Sequence, residues 1–182
     1  EREELANRIR RQVDQANRMT REVLAFARGE RRVWRRRVRL EVFDREMAEY
    51  LEHEYEGTGI EVRARFRARG EAWVDDAKLG RLFANIARNA RQAMTSGGRF
   101  EVSSRTSHDY VEYVFKDTGP GISPDLQRVL FDPFTTAKKD GGTGLGLAMV
   151  KQIVDDHGGS VRVQSKEGAG ATFRVRLPRT ES

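Results

Sequence analysis

The sequence predicts an α/β domain in which helices cover one face of a mixed sheet. Three observations predict it. Strand-like alternation recurs in IEVRARF (60–66), RFEVSSRT (99–106), YVEYVFKD (110–117) and ATFRVRL (171–177). Helical periodicity fills 75–94 and 145–158. A glycine-rich irregular stretch from 118 to 144 separates these two helices and follows directly on a strand.

The elements follow in chain order. Residues 1–28 read as a long helix: Leu5, Ile9, Gln12, Ala16, Met19, Val23 and Phe26 alternate steps of four and three, a heptad seam, and Gly29 is a stop signal. One amphipathic helix leaves such a seam uncovered, so a partner helix is expected, most simply from a second copy of the chain. Packing on the following domain is the alternative. VRLEVF (38–43) reads as a strand and DREMAEYLEHEY (44–55) as a helix capped by Asp44. Strands 60–66 and EAWV (71–74) precede the long helix DDAKLGRLFANIARNARQAM (75–94), which GG (97–98) closes. Strands 99–106 and 110–117 lead into TGPGI, a short helix near 124–131 and the irregular FDPFTTAKKDGGTG (131–144). The helix LGLAMVKQIVDDHG (145–158) precedes a hairpin of SVRVQS (160–165) and ATFRVRL joined by KEGAG. The expected organisation is therefore a helical segment at 1–30, a basic linker at 31–39 and a globular domain at 40–182.

Composition narrows the class. The chain has 182 residues, 37% hydrophobic and 34% charged, no cysteine and no apolar run long enough to cross a membrane. Disulfides, thiolate metal sites and cysteine nucleophiles are excluded, and a cytoplasmic domain is expected. The net charge of +6 is uneven: residues 1–39 hold 13 Arg against 6 acidic residues, so the other 21 basic and 22 acidic residues nearly cancel. The basic excess lies in the arm, densest in RRVWRRRVR (31–39), and has no aromatic interleaving beyond Trp34 of the kind base stacking needs. A solvated linker or helix face fits better than a surface for nucleic acid or an anionic membrane, the minor alternatives.

Three short segments carry chemistry. On a helical wheel, Leu79, Leu82, Ile86, Ala90 and Ala93 form the buried stripe of 75–94, with Asn89 at about 280° and Asn85 at about 240° from Leu79, beside Gln92. Amide oxygens there suit a hard cation, and magnesium needs few protein ligands when phosphates supply the rest; two inter-helix asparagines would look the same. Asp117, at a strand end before Gly119 and Gly121, offers a sheltered carboxylate suited to an exocyclic amine, or else a tight turn. Gly141, Gly142, Thr143, Gly144, Leu145, Gly146 and Leu147 open a helix with free N–H groups and the positive dipole end, a site for phosphate oxygens. Lys138 and Lys139 lie just upstream as point charges. Neither the P-loop nor the dinucleotide fingerprint fits.

Asn-x-x-x-Asn at 85–89, D-x-G-x-G-I at 117–122, F-D-P-F-T-T at 131–136 and G-T-G-L-G-L at 142–147, in this order and spacing, resemble the N box, two glycine boxes and F box of two-component sensor histidine kinases. The closing GGSVRVQSKEGAGATFRVRLP (158–178) is similar to that family's last hairpin, and NRMTREVLAFARGE (17–30) to the second helix of its dimerisation and phosphoacceptor hairpin. The resemblance implies a Bergerat-type two-layer sandwich, with three helices on a mixed sheet, that binds ATP with Mg²⁺. It implies that Asn89 ligates Mg²⁺, that Asn85 assists at the phosphates, and that Asp117 accepts from the adenine amine with Gly119, Gly121 and Ile122 shaping the pocket. Thr172 would support the adenine side through water. Phe131 to Lys139 would form a mobile lid packed by Phe131 and Phe134, with Lys138 near the phosphates that Gly142 to Leu147 cradle.

Two departures stand out. Many kinases place Lys or Arg where this chain has Gln92, so Arg88 or Arg91 is the expected substitute. ATPases of the same superfamily carry a water-activating Glu four residues before the magnesium Asn, where this chain has Asn85, which cannot act as a general base. The resemblance therefore implies transfer of the γ-phosphate to a histidine elsewhere, since His53, His108 and His157 all lie outside the 1–28 helix that would pair with the acceptor helix. The chain is expected to bind ATP without phosphorylating itself, to dimerise through the N-terminal helix and to serve a response-regulator receiver domain. An ATPase and a non-phosphorylating scaffold of the same fold are the alternatives.

Overall fold

The structure, a computed structural model, describes residues 33–136 and 143–180, together with Leu5, Ala6, Ile9, Arg10, Val13, Thr20, Val23 and Leu24. Those eight are helical; the rest of the expected N-terminal helix and of the linker before Val33 lies outside the described residues. No described helix is long and apolar enough to cross a membrane.

The described elements are β1 (Arg36–Arg39), α1 (Leu40–Tyr55), β2 (Ile60–Phe66), β3 (Glu71–Val74), α2 (Asp76–Ala93), β4 (Gly98–Thr106), β5 (Tyr110–Asp117), α3 (Pro124–Val129), α4 (Gly146–Asp156), β6 (Ser160–Ser165) and β7 (Ala171–Pro178). Five strands form one mixed sheet in the order β2-β4-β5-β7-β6, with β2 and β4 parallel and the other neighbours antiparallel. β1 and β3 make a separate antiparallel pair. Alternation decides which side of the sheet is dry: Ala171, Phe173, Val175 and Leu177 of β7 are buried beside Phe100 and Val102 of β4 and Phe115 of β5. Phe83 of α2 sits at the centre, its ring 4.8 Å from Phe115, 5.0 Å from Tyr113 and 5.5 Å from Phe43, each edge-on, the arrangement aromatic quadrupoles favour.

One expectation fails at the start of the domain. α1 begins at Leu40, so 40–43 is helix and the strand before it is Arg36–Arg39. The alternation in VRLEVF is outweighed by a helical set, Leu40, Phe43, Met47, Leu51 and Tyr55, that continues along α1 onto the core. Asp44 is therefore not a cap. It is 2% exposed in the core layer, where its carboxylate accepts from Ser104 Oγ at 2.6 Å and Tyr113 Oη at 3.1 Å. Burial outweighs these two bonds and pushes its pKa from 3.8 to about 6.

A carboxyl whose folded pKa is raised stabilises the fold most where it is protonated in both states. Its contribution is present below pH 3.8 and is lost as pH rises through about 6. Asp44→Asn keeps an acceptor for Ser104 and removes the buried charge. Relative to wild type it should gain on the order of 3 kcal/mol between pH 4 and pH 7.5, at about 1.4 kcal/mol per pKa unit. Urea denaturation at both pH values checks this; a difference between the two proteins that does not change with pH refutes it.

The segment leading into the domain is pinned at a three-way junction. Asp75, the N-cap of α2, accepts from Lys78 N on Oδ1 and from Trp34 N on Oδ2, both at 3.0 Å. Its own N–H donates to Nε2 of His157, at the C-terminal end of α4, at 3.0 Å. His157 Nδ1 in turn donates to Ile153 O at 2.7 Å, so both ring nitrogens are engaged in the neutral form, and burial lowers the pKa. Arg35 donates to Asp156 O at 3.1 Å, and Lys78 Nζ lies 3.3 Å from Asp156 Oδ2.

Candidate functional site

α2 carries the two asparagines on its flank because its stripe of Leu79, Leu82, Phe83, Ile86 and Ala90 is consumed by the core. Asn85 and Asn89 are half-buried, and Gln92 is exposed. α4 arrives beside them: a Cβ added at Gly146, in its first turn, would lie 3.5 Å from Asn85 Oδ1, 3.7 Å from Asn89 Nδ2 and 3.8 Å from Asn89 Oδ1. Two side-chain amides thus face the N-terminus of an eleven-residue helix, where unpaired N–H groups and the positive dipole end gather. Arg91 does not supply a cation on this flank: its Nε lies 3.0 Å from Glu54 Oε1 of α1.

Asp117 closes the other end. It is 7% exposed, on the helix side of β5, and its Oδ1 accepts from Gly119 N at 2.9 Å and Ala171 N at 3.2 Å. Both bonds fall on Oδ1, which leaves Oδ2 as the oxygen available to a ligand. Burial raises the Asp117 pKa, opposed by these two N–H bonds. Gly119 packs toward Met94 and Ala93 at the end of α2, so loop and helix wall one cleft. Gly121, at φ +75°, leaves no room for a Cβ against the Lys166 carbonyl of the β6–β7 turn. The loop is stitched to that hairpin: Ile122 N donates to Ser165 Oγ at 2.9 Å, and Gln127 Nε2 donates to Ile122 O at 2.7 Å and Ser165 O at 3.1 Å.

Thr172 corrects the expectation for the adenine side. It pairs with Lys116 in the β5–β7 register and faces away from the helices, on the side of the sheet opposite Asp117. Its neighbour Ala171 is buried on the helix side and reaches Asp117 through its backbone N–H. Strand parity shows why: Phe173 is core, so Ala171 shares its face and Thr172 cannot. Ala171, Ser165, Gln127 and Met94 are the residues sequence reasoning missed, and only the parity of 171 with 173 signalled any of them.

Of the segment between the asparagines and α4, Phe131 packs on the core, whereas Phe134 is 66% exposed with φ 66°. Lys138 and Gly142 lie outside the described residues. Thr143 Oγ1 accepts from Leu145 N at 3.3 Å, and Leu145 and Leu147 anchor the start of α4, Leu145 fully buried. Gly144, at φ +67°, lies flat against the backbone of Phe134 and Thr135, so the two ends flanking 137–142 meet there. Gly144→Ala adds a Cβ into that backbone and places alanine in the left-handed region, a penalty of about 1–2 kcal/mol before the clash is counted. We expect ligand affinity at the cleft to fall at least tenfold with a melting temperature within a few degrees of wild type; wild-type affinity refutes the packing role.

Residues 74–181 match the family described as histidine kinase-, DNA gyrase B- and HSP90-like ATPase. The chain is 41% identical over 113 residues to sensor histidine kinase RppB of Synechocystis, covering 59% of this chain and 25% of RppB. It is 32% identical over 192 residues to sensor kinase CckA of Brucella abortus, covering 94% of this chain and 20% of CckA. The chain thus spans a quarter or less of these relatives. Among solved structures, full-length ShkA in complex with AMPPNP superimposes with a TM-score of 0.83 at 26% identity, covering 99% of this chain and 39% of ShkA.

Proposed function

The chain belongs to the histidine kinase-, DNA gyrase B- and HSP90-like ATPase family, and from that premise we propose that it is the ATP-binding catalytic part of a sensor histidine kinase, which delivers the γ-phosphate of ATP to a histidine presented by a separate helix. The observation that carries this reading is the meeting of Asn85 and Asn89 with Gly146 at the start of α4. Amide oxygens opposite a helix N-terminus fit a divalent cation held between protein and phosphates. Asn89 is assigned to Mg²⁺ and Asn85 to the phosphates, with Thr143, Gly144, Leu145, Gly146 and Leu147 contributing backbone N–H groups. Lys138 and Gly142 are assigned to the phosphates by motif position alone. Asp117 Oδ2 accepts from the adenine amine, while Oδ1, tied to Gly119 and Ala171, holds the carboxylate in place. Magnesium, when bound, neutralises developing charge on the phosphates. The chain's own residues orient the nucleotide and exclude water.

Asn85 favours the kinase reading over an ATPase, because an amide cannot take a proton from water. The three histidines offer no substitute acceptor: His157 is buried with both nitrogens engaged, His53 is exposed beside Glu56 on α1, and His108 is exposed between β4 and β5. The acceptor helix, the second protomer and the response-regulator receiver domain are the partners this reading requires, the first two meeting the seam of residues 5–26.

Calorimetry and labelled ATP test it together. The expected result is nucleotide binding that strengthens with Mg²⁺, no sustained release of phosphate and no acid-labile, alkali-stable phosphate on the chain. Steady turnover of free ATP would replace this reading with the ATPase one. Absence of nucleotide binding would leave only a scaffold.

A further inference from the structure

The side of the five-stranded sheet turned away from the helices carries a cluster that the cleft does not use. Glu112 of β5 is fully buried there beneath three arginines. Its Oε1 accepts from Arg105 Nε at 2.7 Å and Arg174 Nη1 at 2.8 Å, and its Oε2 from Arg176 Nε at 2.6 Å. Burial alone would raise its pKa, but the bonds to Arg105 and Arg176 and the charge of Arg174 outweigh it and hold the group at about 2. Across the β6–β7 ladder Arg162 stands directly opposite Arg174, Ser160 opposite Arg176 and Gln164 opposite Thr172. These six line a groove of about 440 Å³ whose lining contains no acidic residue.

Charge is in surplus here. Three guanidinium groups, at 105, 174 and 176, share one carboxylate whose two oxygens are already engaged. Arg162 adds a fourth positive charge opposite Arg174, without bonding that carboxylate. Like charges directly opposite on neighbouring strands destabilise a sheet, so the Arg162–Arg174 pair asks for an anion from outside. The guanidinium fork matches phosphate oxygens in pairs. The lining has no aromatic ring and one aliphatic residue, Val163, so neither a base nor an acyl chain finds a surface. Arg162 and Arg174, opposite each other on neighbouring strands, stand about 4.7–4.9 Å apart, closer than the about 6.7 Å by which an extended acidic peptide spaces its same-face carboxylates. That close cross-strand pair favours a ligand with dense, adjacent charges, while Arg176 extends the site along β7.

We propose that the groove over β6 and β7 binds a soluble oligophosphate, gripped by Arg162, Arg174 and Arg176, with Ser160, Gln164 and Thr172 donating to its remaining oxygens. This site lies on the opposite side of the sheet from Asp117 and is independent of the nucleotide reading. The test titrates metal-free tripolyphosphate into the chain while following the arginine Nε–Hε resonances, with Mg²⁺–AMPPNP affinity measured on the same samples by calorimetry. Resonances of Arg162, Arg174 and Arg176 should shift saturably and in a salt-sensitive manner. Arg162→Gln, which leaves the Glu112 bonds intact, should weaken that response at least tenfold, and Arg162→Gln with Arg174→Gln should abolish it, both with AMPPNP affinity unchanged. No saturable shift, a response unaltered in Arg162→Gln, or equal or tighter binding of hexaglutamate at the same resonances would overturn the proposal. Loss of AMPPNP binding with the groove response intact would overturn the nucleotide reading instead.

Discussion

Asn89→Ala should abolish the dependence of nucleotide binding on magnesium. The residue sits on the flank of α2, half-buried and outside the core stripe, so its removal leaves the packing of Leu82, Phe83 and Ile86 untouched. Alanine is also the stronger helix former, by up to about 0.7 kcal/mol, and the melting temperature should hold or rise. The lost group is a side-chain amide beside the start of α4, where Gly146 leaves room for it. Losing one protein ligand of a hard cation should cost at least tenfold in affinity, about 1.4 kcal/mol. Arg91, paired with Glu54 of α1, does not compensate. Titrations of ATP with and without Mg²⁺ should therefore nearly coincide in the variant and differ clearly in wild type. A variant that keeps the wild-type magnesium effect would remove Asn89 from the metal site.

Asp117→Asn should weaken ATP by roughly 10- to 100-fold, the 1.5–3 kcal/mol of a hydrogen bond to a charged group. It should also narrow the preference for ATP over GTP. The substitution is clean for a geometric reason. Both structural bonds, from Gly119 N and Ala171 N, fall on Oδ1, which an asparagine oxygen reproduces. Only Oδ2 changes, from an acceptor for an exocyclic amine to a donor that suits a carbonyl. Competition between ATP and GTP, with circular dichroism to confirm the fold, measures the effect. Equal nucleotide preferences in variant and wild type would reduce Asp117 to a turn residue.

Much of the fold was legible because most elements bury one face, and burial imposes period. The strands of 60–66, 110–117 and 160–165 stand where alternation put them, and the long helix expected over 75–94 runs from Asp76 to Ala93, Asp75 proving to be its cap. The failure at 38–43 came from a six-residue window in which alternation and helical spacing coincide; the core contacts of Leu40 and Phe43, invisible locally, decided it. For the candidate cleft, the half-buried flank of Asn85 and Asn89 was readable from the wheel, but their meeting with Gly146 depends on how α4 packs on α2. Thr172 was misplaced because a motif match is blind to strand parity. The second cluster, around Glu112, was unreadable for a related reason: residues 105, 112, 162, 174 and 176 converge only through sheet register.

The junction at Asp75 ties events before the domain to events inside it. One carboxylate grips the chain at Trp34 and the first turn of α2 together, while the same residue's N–H seizes the end of α4 through His157. A twist of the entering segment is thus delivered to two helices at once, one of which holds Asn85 ten residues, about 15 Å, along its axis. The other begins with Gly146, directly across from that asparagine. Movement at residue 34 that keeps this joint intact therefore reaches both helices through one residue.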